Sequence, residues 1–307
     1  MSFGIYLPIA GVAVNALTII GAGGAVGFLS GLFGVGGGFI ITPLMIFLGI
    51  PTTVAIATGA NQAAATAVSG AMAHWGRGNI DFRMGNVLLV SGVAGSVAGT
   101  QLVGYLRSLG QFDLFVSLCY VVLLGSVGSL MLVESVRTMM QPDAVPAGRR
   151  ISRHNWTHGL PLRARFPHSR LFISILPVIA IGLLIGVLTA VMGVGGGFVL
   201  VPAMVYLLKM RTNLAVGTSL YQIMFVGSFT TLTQALMLHS VDVVLAGLLI
   251  VAGVVGTQLG TKAGARLKGE QLRALLALLV LAVCARVAID LTTPPADLYS
   301  IKTVRQP

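Results

Sequence analysis

Ten apolar stretches, separated by short polar segments, constrain the fold of this chain more than any other feature of its sequence. They lie at about 8–33, 39–50, 53–75, 85–106, 112–134, 172–192, 198–208, 213–237, 243–264 and 274–291. A helix needs roughly 20 mostly apolar residues to cross the hydrocarbon core of a bilayer. Hydrophobic residues make up 56% of the 307 residues and charged residues only 9%. The sequence therefore predicts an all-α polytopic membrane protein with about eight long apolar helices and two short ones, and excludes a soluble enzyme.

The charge distribution indicates the orientation in the membrane. The net charge is +11, but no charged residue precedes Arg77 and the basic residues cluster between apolar stretches. That pattern is typical of cytoplasmic loops and not of a nucleic-acid interface. The connector 137–170 carries seven arginines against one acid, Asp143. With this connector in the cytoplasm, fifteen basic residues lie inside and four outside, which predicts that both termini are outside.

An internal repeat divides the chain. Residues 29–46 and 188–205 share nine identities in eighteen positions at an offset of 159. Such self-similarity indicates duplication of a structural unit. We predict a first membrane repeat at 1–136, the connector at 137–170, a second membrane repeat at 171–292 and a polar tail at 293–307. Further matches, at offsets of 160 and 161, pair Thr58 with Thr218, Gln62 with Gln222, Asp81 with Asp242 and Gly92 with Gly253.

The two short stretches decide how the copies are oriented. Stretches 39–50 and 198–208 are too short to cross a bilayer and each follows a glycine-rich segment. We interpret each as the return arm of a re-entrant hairpin, which leaves three crossings in each half. An odd number of crossings predicts inverted repeats. Whether the short stretches instead cross fully stays open at this point, and so does the oligomeric state.

The glycine-rich segments are the best candidates for a binding site. Each one, Gly34 to Phe39 and Gly193 to Phe198, reads GVGGGF and separates two apolar helical pieces. A helix that begins at such a break presents backbone N–H groups and the positive end of its dipole, which favours an anion. Paired discontinuous helices at matching places in two inverted halves are typical of a transporter substrate site near the midplane.

The duplicated GVGGGF-x-x-x-P motif, with Pro43 and Pro202, together with Ile80-Asp81-Phe82-Arg83, resembles the TauE/SafE sulfite exporter family of membrane permeases. The second copy departs from the pattern, because Val241-Asp242-Val243-Val244 lacks the arginine. The resemblance implies a multi-pass permease of the plasma membrane, the inner membrane of a bacterium. It also implies export of a small sulfur-containing anion such as sulfite or an organosulfonate.

Neutral polar side chains in the stretches after the breaks complete the predicted site. Thr58 and Gln62 are four residues apart and share one helix face, and Thr218 and Gln222 repeat that spacing. Such donors can bind an oxyanion that has lost its water, although they can equally tie helices together. We predict that the substrate contacts Gly36, Gly37, Gly38, Phe39, Thr58, Asn61, Gln62, Gly195, Gly196, Gly197, Phe198, Thr218, Ser219 and Gln222.

The remaining polar residues favour structural roles. Asp81 and Asp242 each begin a long stretch, where a helix N-cap belongs. Arg286 and Asp290 are spaced to form an ion pair on a helix. His74 and His239 lie at predicted membrane boundaries and are interpreted as interfacial. We predict no metal, cofactor or nucleic-acid partner, only a small anion and the lipid bilayer.

Two other classes of function stay open from the sequence. One is an intramembrane hydrolase that uses Ser30 with a histidine such as His74. The repeat disfavours it, because the position equivalent to Ser30 is Thr189. The other is a membrane scaffold that transports nothing.

Overall fold

A computed structural model describes residues 4–140, 163–166, 168–169, 171–264 and 269–292. Most of the predicted connector and the whole predicted tail, 293–307, lie outside the described residues. Two short β-hairpins and ten helices make up the described part. In chain order they are β1 (Gly4–Leu7), β2 (Val12–Asn15), α1 (Ala16–Phe33), α2 (Gly38–Phe47), α3 (Thr52–Trp75), α4 (Phe82–Ser108), α5 (Phe112–Met140), β3 (Arg163–Phe166), β4 (Leu171–Ser174), α6 (Ile175–Met192), α7 (Gly197–Tyr206), α8 (Thr212–Leu238), α9 (Val243–Gly264) and α10 (Gly269–Thr292).

Six helices in the described part are long and apolar enough to cross a membrane: α1, α4, α5, α6, α9 and α10. Helices α3 and α8 have 24 and 27 residues, but their threonine, serine, asparagine and glutamine side chains make them more polar. Many of these polar side chains are buried within the protein. Large apolar side chains such as Leu118, Val122, Val251 and Leu278 are instead exposed on the outer helices, as expected for a surface that faces lipid.

The two hairpins correct the prediction of an all-α fold. The apolar stretch predicted at 8–33 becomes helical only at Ala16, and the stretch at 172–192 only at Ile175. Before each helix the chain forms an antiparallel pair of strands, β1 with β2 and β3 with β4. In the first hairpin Gly11 adopts φ +67° at the last position of the turn, directly before the second strand, a conformation that hydropathy alone does not signal.

Each half supplies the packing partner of the other. Helix α1 runs parallel to α9, with Gly23 against Leu249, Gly27 against Gly253 and Gly31 against Thr257. Helix α6 runs parallel to α4 in the same way, with its glycines against α4 backbone. Added methyl groups at most of these glycines would overlap the facing backbone, so the helices approach as closely as small residues allow.

The central and outer pairs run antiparallel. Along the α3–α8 contact, Gly227 meets Ala64 while Gly70 meets Leu220, so the two chains run in opposite directions. Helices α5 and α10 show the same relation, because Gly125 faces Cys284 and Gly128 faces Leu281. In both pairs the partners occupy matching places in the two halves.

Asp81 and Asp242 are helix N-caps, as predicted, and each also binds a hairpin of the other half. The Asp81 carboxylate accepts a hydrogen bond from Met84 N–H in its own helix and two from Ser169 in the β3–β4 turn. Asp242 accepts from Leu245 N–H and from Ile9 N–H in the β1–β2 turn. The predicted pair of Arg286 with Asp290 is present at 3.9 Å.

Candidate functional site

The two glycine-rich breaks meet at the centre of the described structure. A methyl group on Gly38 would overlap the carbonyl oxygen of Gly193, and one on Gly197 would overlap that of Val35. Phe39 and Phe198, the next residues along each chain, pack with ring centroids 5.5 Å apart. The structure therefore brings together the eight predicted site residues of the two breaks.

Local chemistry explains why the helices break here. Gly34 and Gly193 end α1 and α6 with left-handed backbone, and their N–H groups donate to the carbonyls of Ser30 and Thr189 at 2.8 and 2.9 Å. This is the usual glycine C-cap. A methyl group on Gly37 would lie 2.9 Å from Cγ1 of Val26, eleven residues earlier, so the chain turns back along α1.

Helices α2 and α7 begin at this central meeting point. Their N-cap residues are Gly37 and Gly196, and neither makes a side-chain cap. The two differ in backbone, because Gly37 is right-handed at φ −73° whereas Gly196 is left-handed at φ +74°. Two helix N-termini without side-chain caps are thus placed close together within the protein.

The predicted glutamines are fully buried but face the helix interfaces. The Gln62 amide donates to the Gly23 carbonyl at 3.2 Å, and its oxygen has no hydrogen-bond partner. Neither amide atom of Gln222 has a hydrogen-bond partner among the described residues. A methyl group on Gly92 would lie 2.8 Å from the Gln222 nitrogen. Gln222 therefore holds a buried amide whose hydrogen-bonding capacity is not used by the described residues.

The other predicted polar residues have more local contacts. The hydroxyl of Thr58 donates to the Val54 carbonyl at 2.7 Å, and that of Ser219 donates to the Val216 carbonyl at 2.8 Å. Thr218 accepts a hydrogen bond from Asp81 N–H at 3.0 Å. Asn61 is half-buried. The first two bonds lie within one helix, and the third joins α8 to the residue that precedes α4. A substrate contact at each of these residues stays a prediction.

A cavity of about 470 Å³ reaches the first break from one end of the protein. We call it the half-open cavity. Its inner wall contains Val35 and the end of α1, and its outer part includes the exposed side chains of Arg77 and Asn213. Residues that also line it are Gly31, Leu32, His74, Asn79, Val205, Tyr206 and Val216.

The matching place at the end of α6 is closed. The hydroxyl of Tyr120 donates to the Met192 carbonyl at 2.6 Å, and the amide of Gln234 donates to the Ala190 carbonyl at 2.7 Å. Ala190, Val191 and Met192 are at most 2% exposed. In the described structure the end of α1 therefore borders a cavity, whereas hydrogen-bonded side chains cover the end of α6.

His74 and Arg77 line the half-open cavity, but the sequence did not predict either of them as a residue of the binding site. Each lies near a predicted membrane boundary, where an interfacial role is the usual one. Helices α3 and α8 begin at an offset of 160, which pairs His74 with Gln234. His74 Nδ1 is buried at the cavity wall and has no hydrogen-bond partner among the described residues. The pairing of two polar residues was the available signal for His74.

Comparisons with known proteins identify relatives of this chain. The model of the family described as sulfite exporter TauE/SafE matches residues 19–287. A probable membrane transporter protein of Xylella fastidiosa (strain 9a5c) is 32% identical over 89% of this chain and 95% of its own length. The probable membrane transporter protein YjnA of Bacillus subtilis is 27% identical over 87% of this chain and 97% of its own length. No solved structure gives a significant match.

The match extends over both glycine-rich breaks and over all the helices except parts of the first and last. Six helices capable of crossing a membrane fit a multi-pass membrane protein, and the bacterial relatives indicate the plasma membrane. The chain belongs to the TauE/SafE sulfite exporter family.

Proposed function

We propose that this protein transports a small sulfur-containing anion, such as sulfite or an organosulfonate, through a site between the two breaks. The halves act as inverted repeats that move relative to each other and expose the site to one side of the membrane at a time. With the connector in the cytoplasm, as the charge distribution predicts, this proposal has the half-open cavity connect the first break with the cytoplasm.

The meeting of the two breaks carries this proposal. Each break starts a helix without a side-chain cap, so the positive ends of two helix dipoles point into one small region. Irregular backbone within a membrane protein is stable only where protein or an aqueous cavity satisfies its polar groups. A small anion suits such a region, because it accepts hydrogen bonds that the breaks and the neighbouring helices can donate.

The packing of the halves supports an inverted arrangement. If the copies were related by an axis along the membrane normal, equivalent helices would run parallel. The equivalent pairs α3–α8 and α5–α10 run antiparallel. With α1–α2 and α6–α7 as re-entrant hairpins, α3 and α8 cross the membrane at the centre, where the more apolar helices shield them from lipid.

The predicted polar residues complete the binding site in this proposal. Gln62 and Gln222 supply amide donors, and Thr58, Asn61, Thr218 and Ser219 supply further polar groups on α3 and α8. Gln222 is the most available of them, because both of its amide atoms lack a partner. Phe39 and Phe198 separate the two access routes, since their rings pack together between the breaks.

Transport by purified protein in liposomes tests the function directly. Labelled sulfite, or a labelled alkanesulfonate, should accumulate in liposomes that contain the protein and not in empty ones. The Gly197→Ala variant should abolish uptake, because its methyl group overlaps the Val35 carbonyl. The matched variant Gly247→Ala should retain it, since a methyl group there meets nothing within 4 Å.

Two results would contradict the proposal. If gel filtration shows that the protein is folded and no sulfur-containing anion is taken up, these anions are excluded as its substrates. Wild-type uptake by Gly197→Ala would show that the breaks serve packing only.

Orientation is tested by reporter fusions at residue 155 and at the C-terminus. The fifteen-to-four split of basic residues predicts a cytoplasmic signal from the first fusion and an external signal from the second. Cytoplasmic signals from both would require an even number of crossings in the second half and would exclude inverted repeats.

A further inference from the structure

A group of basic and amide side chains surrounds the opening of the half-open cavity. A second cavity of about 560 Å³ adjoins it, and the two share Asn79, Thr212 and Asn213 in their walls. Arg77 also lines the first cavity, and Arg211 and His168 also line the second. We call this group the basic mouth; its members are Arg77, Asn79, His168, Arg211 and Asn213.

Among the described residues, no acidic side chain neutralises the positive charge of the basic mouth. No acidic residue is among the described residues that line either cavity. The side chains of Arg77 and Arg211 are exposed, and neither forms an ion pair with any described residue. The acid closest to Arg77 in sequence, Asp81, is buried and bound to Met84 and Ser169. Both guanidinium groups therefore keep their donors for another partner.

The start of α3, which matches the start of α8 in the repeat, borders a cavity with a different charge. A cavity of about 410 Å³ there contains Thr52 and Thr53, the counterparts of Thr212 and Asn213 at an offset of 160. Its charged residues are one base, Arg107, and one acid, Asp113. Opposite charges in one small cavity largely cancel its attraction for an anion. A cavity therefore borders the start of both α3 and α8, but among the described lining residues only the one at α8 has basic residues without an acid.

We propose that the basic mouth is an entry site, separate from the site between the breaks, where a small oxyanion binds before it moves inward. This inference rests on the proposed function. Guanidinium groups bind the oxygens of an oxyanion with charge-assisted hydrogen bonds, and the two asparagines add neutral donors. His74, on the cavity wall with an unpartnered Nδ1, offers the next donor along the route inward.

Substitution of the two arginines tests the entry site by transport kinetics and by direct binding. Each of Arg77→Ala and Arg211→Ala should raise the KM for sulfite about fivefold, the upper range for an exposed charge contact, with little change in kcat. The double variant should raise KM about 25-fold if the two contacts are independent. Binding is measured as the change in Trp75 fluorescence on addition of sodium sulfite at constant ionic strength, in a Trp156→Phe background.

Two control variants separate a defined site from a general positive field. Lys262 is exposed and follows Thr261 of the cavity wall, but does not line either cavity. Lys262→Ala removes one charge from the same end of the protein, and Arg107→Ala removes one from the opposite cavity. Both should leave KM within twofold of wild type. Equal losses in Lys262→Ala, or unchanged KM and fluorescence titrations in both arginine variants, would overturn the entry site.

The same measurements distinguish failure of the entry site from failure of the proposed function. Sulfite transport with wild-type KM in the arginine variants would retain the function and remove the entry site. Arginine-dependent binding of inorganic phosphate, without binding or transport of any sulfur anion, would retain a basic anion site and remove the proposed substrate.

Discussion

The end of α1 and the end of α6 occupy matching places in the repeat, yet one borders a cavity and the other is sealed. Leu32 is half-buried at the cavity wall, whereas its counterpart Val191 is 2% exposed. The closed end carries hydrogen bonds to the Ala190 and Met192 carbonyls. Two nearly equivalent halves thus adopt different packing around one centre, and the difference lies in a few polar contacts.

The two ends share the same order of helices, so this contrast indicates that side chains decide whether the end of a helix borders a cavity. Exchange of the open and sealed states between the two ends is the motion that alternating access requires. Substitutions at matching positions of the two halves should therefore have unequal effects on stability, accessibility or affinity. The size of that inequality measures how much the two ends differ.

The largest effect is expected at the helix starts. Gly196→Ala places a side chain in left-handed backbone and against Ile185, whereas Gly37 is right-handed and its methyl group meets the branched end of Val26. The left-handed conformation alone costs about 1–2 kcal/mol, and forced overpacking adds about 1–3 kcal/mol.

We therefore expect Gly196→Ala to lower the free energy of unfolding, and the rate of transport, much more than Gly37→Ala. Denaturation of both variants in detergent, with Gly21→Ala as a control whose methyl group has open space, provides the measurement. Equal losses at both positions would mean that the two breaks have the same backbone in the membrane.

Accessibility of cysteine reporters compares the two ends directly. In a background without Cys119 and Cys284, Leu32→Cys should react with a water-soluble thiol reagent through the half-open cavity. Val191→Cys should stay unreactive, because its position is buried. Addition of Tyr120→Phe removes the hydrogen bond to the Met192 carbonyl, worth about 1 kcal/mol, and should increase the reactivity of Val191→Cys. Fast reaction at Val191 without that change would show that the end of α6 is already open.

A smaller difference is expected for the polar pair His74 and Gln234. Gln234→Leu removes a buried bond to the Ala190 carbonyl and should lower the free energy of unfolding by about 1 kcal/mol. His74→Leu should change it by less than about 0.5 kcal/mol, because its Nδ1 has no partner. Calorimetric unfolding measures both variants. Equal losses in the free energy of unfolding would contradict the difference predicted between His74 and Gln234.

The last comparison concerns the two glutamines, which should differ in stability but not in their importance for anion affinity. Gln62→Leu breaks a bond to Gly23, so it should lower both stability and anion affinity. Gln222→Leu breaks no bond with a described residue and should lower affinity alone, by about five- to a hundredfold for one lost donor. Titration of each purified variant with sulfite, beside its thermal unfolding, separates the two. Unchanged affinity for Gln222→Leu would reassign this residue to packing.

The sequence predicted those features that local chemistry determines. The breaks follow from runs of glycine, and the N-caps at Asp81 and Asp242 follow from an acid before an apolar helix. The first hairpin was missed because residues 8–15 are as apolar as the helix that follows them. The second was missed because its first strand, Arg163–Phe166, lies in the arginine-rich connector. His74 was assigned to the interface because its approach to the end of α1 depends on contacts between helices, which spacing along one helix cannot reveal.

The two aspartates also have a consequence for how the chain is assembled. Asp242 binds the backbone of Ile9, 233 positions earlier in the sequence, and Asp81 binds the second hairpin in return. The glycine face of α1 likewise packs against α9. During synthesis the first half therefore enters the bilayer with its hairpin and its closest-packing surface uncovered. Its native structure is completed only when the ninth helix is inserted, so truncation before that helix should leave a substrate for membrane quality control.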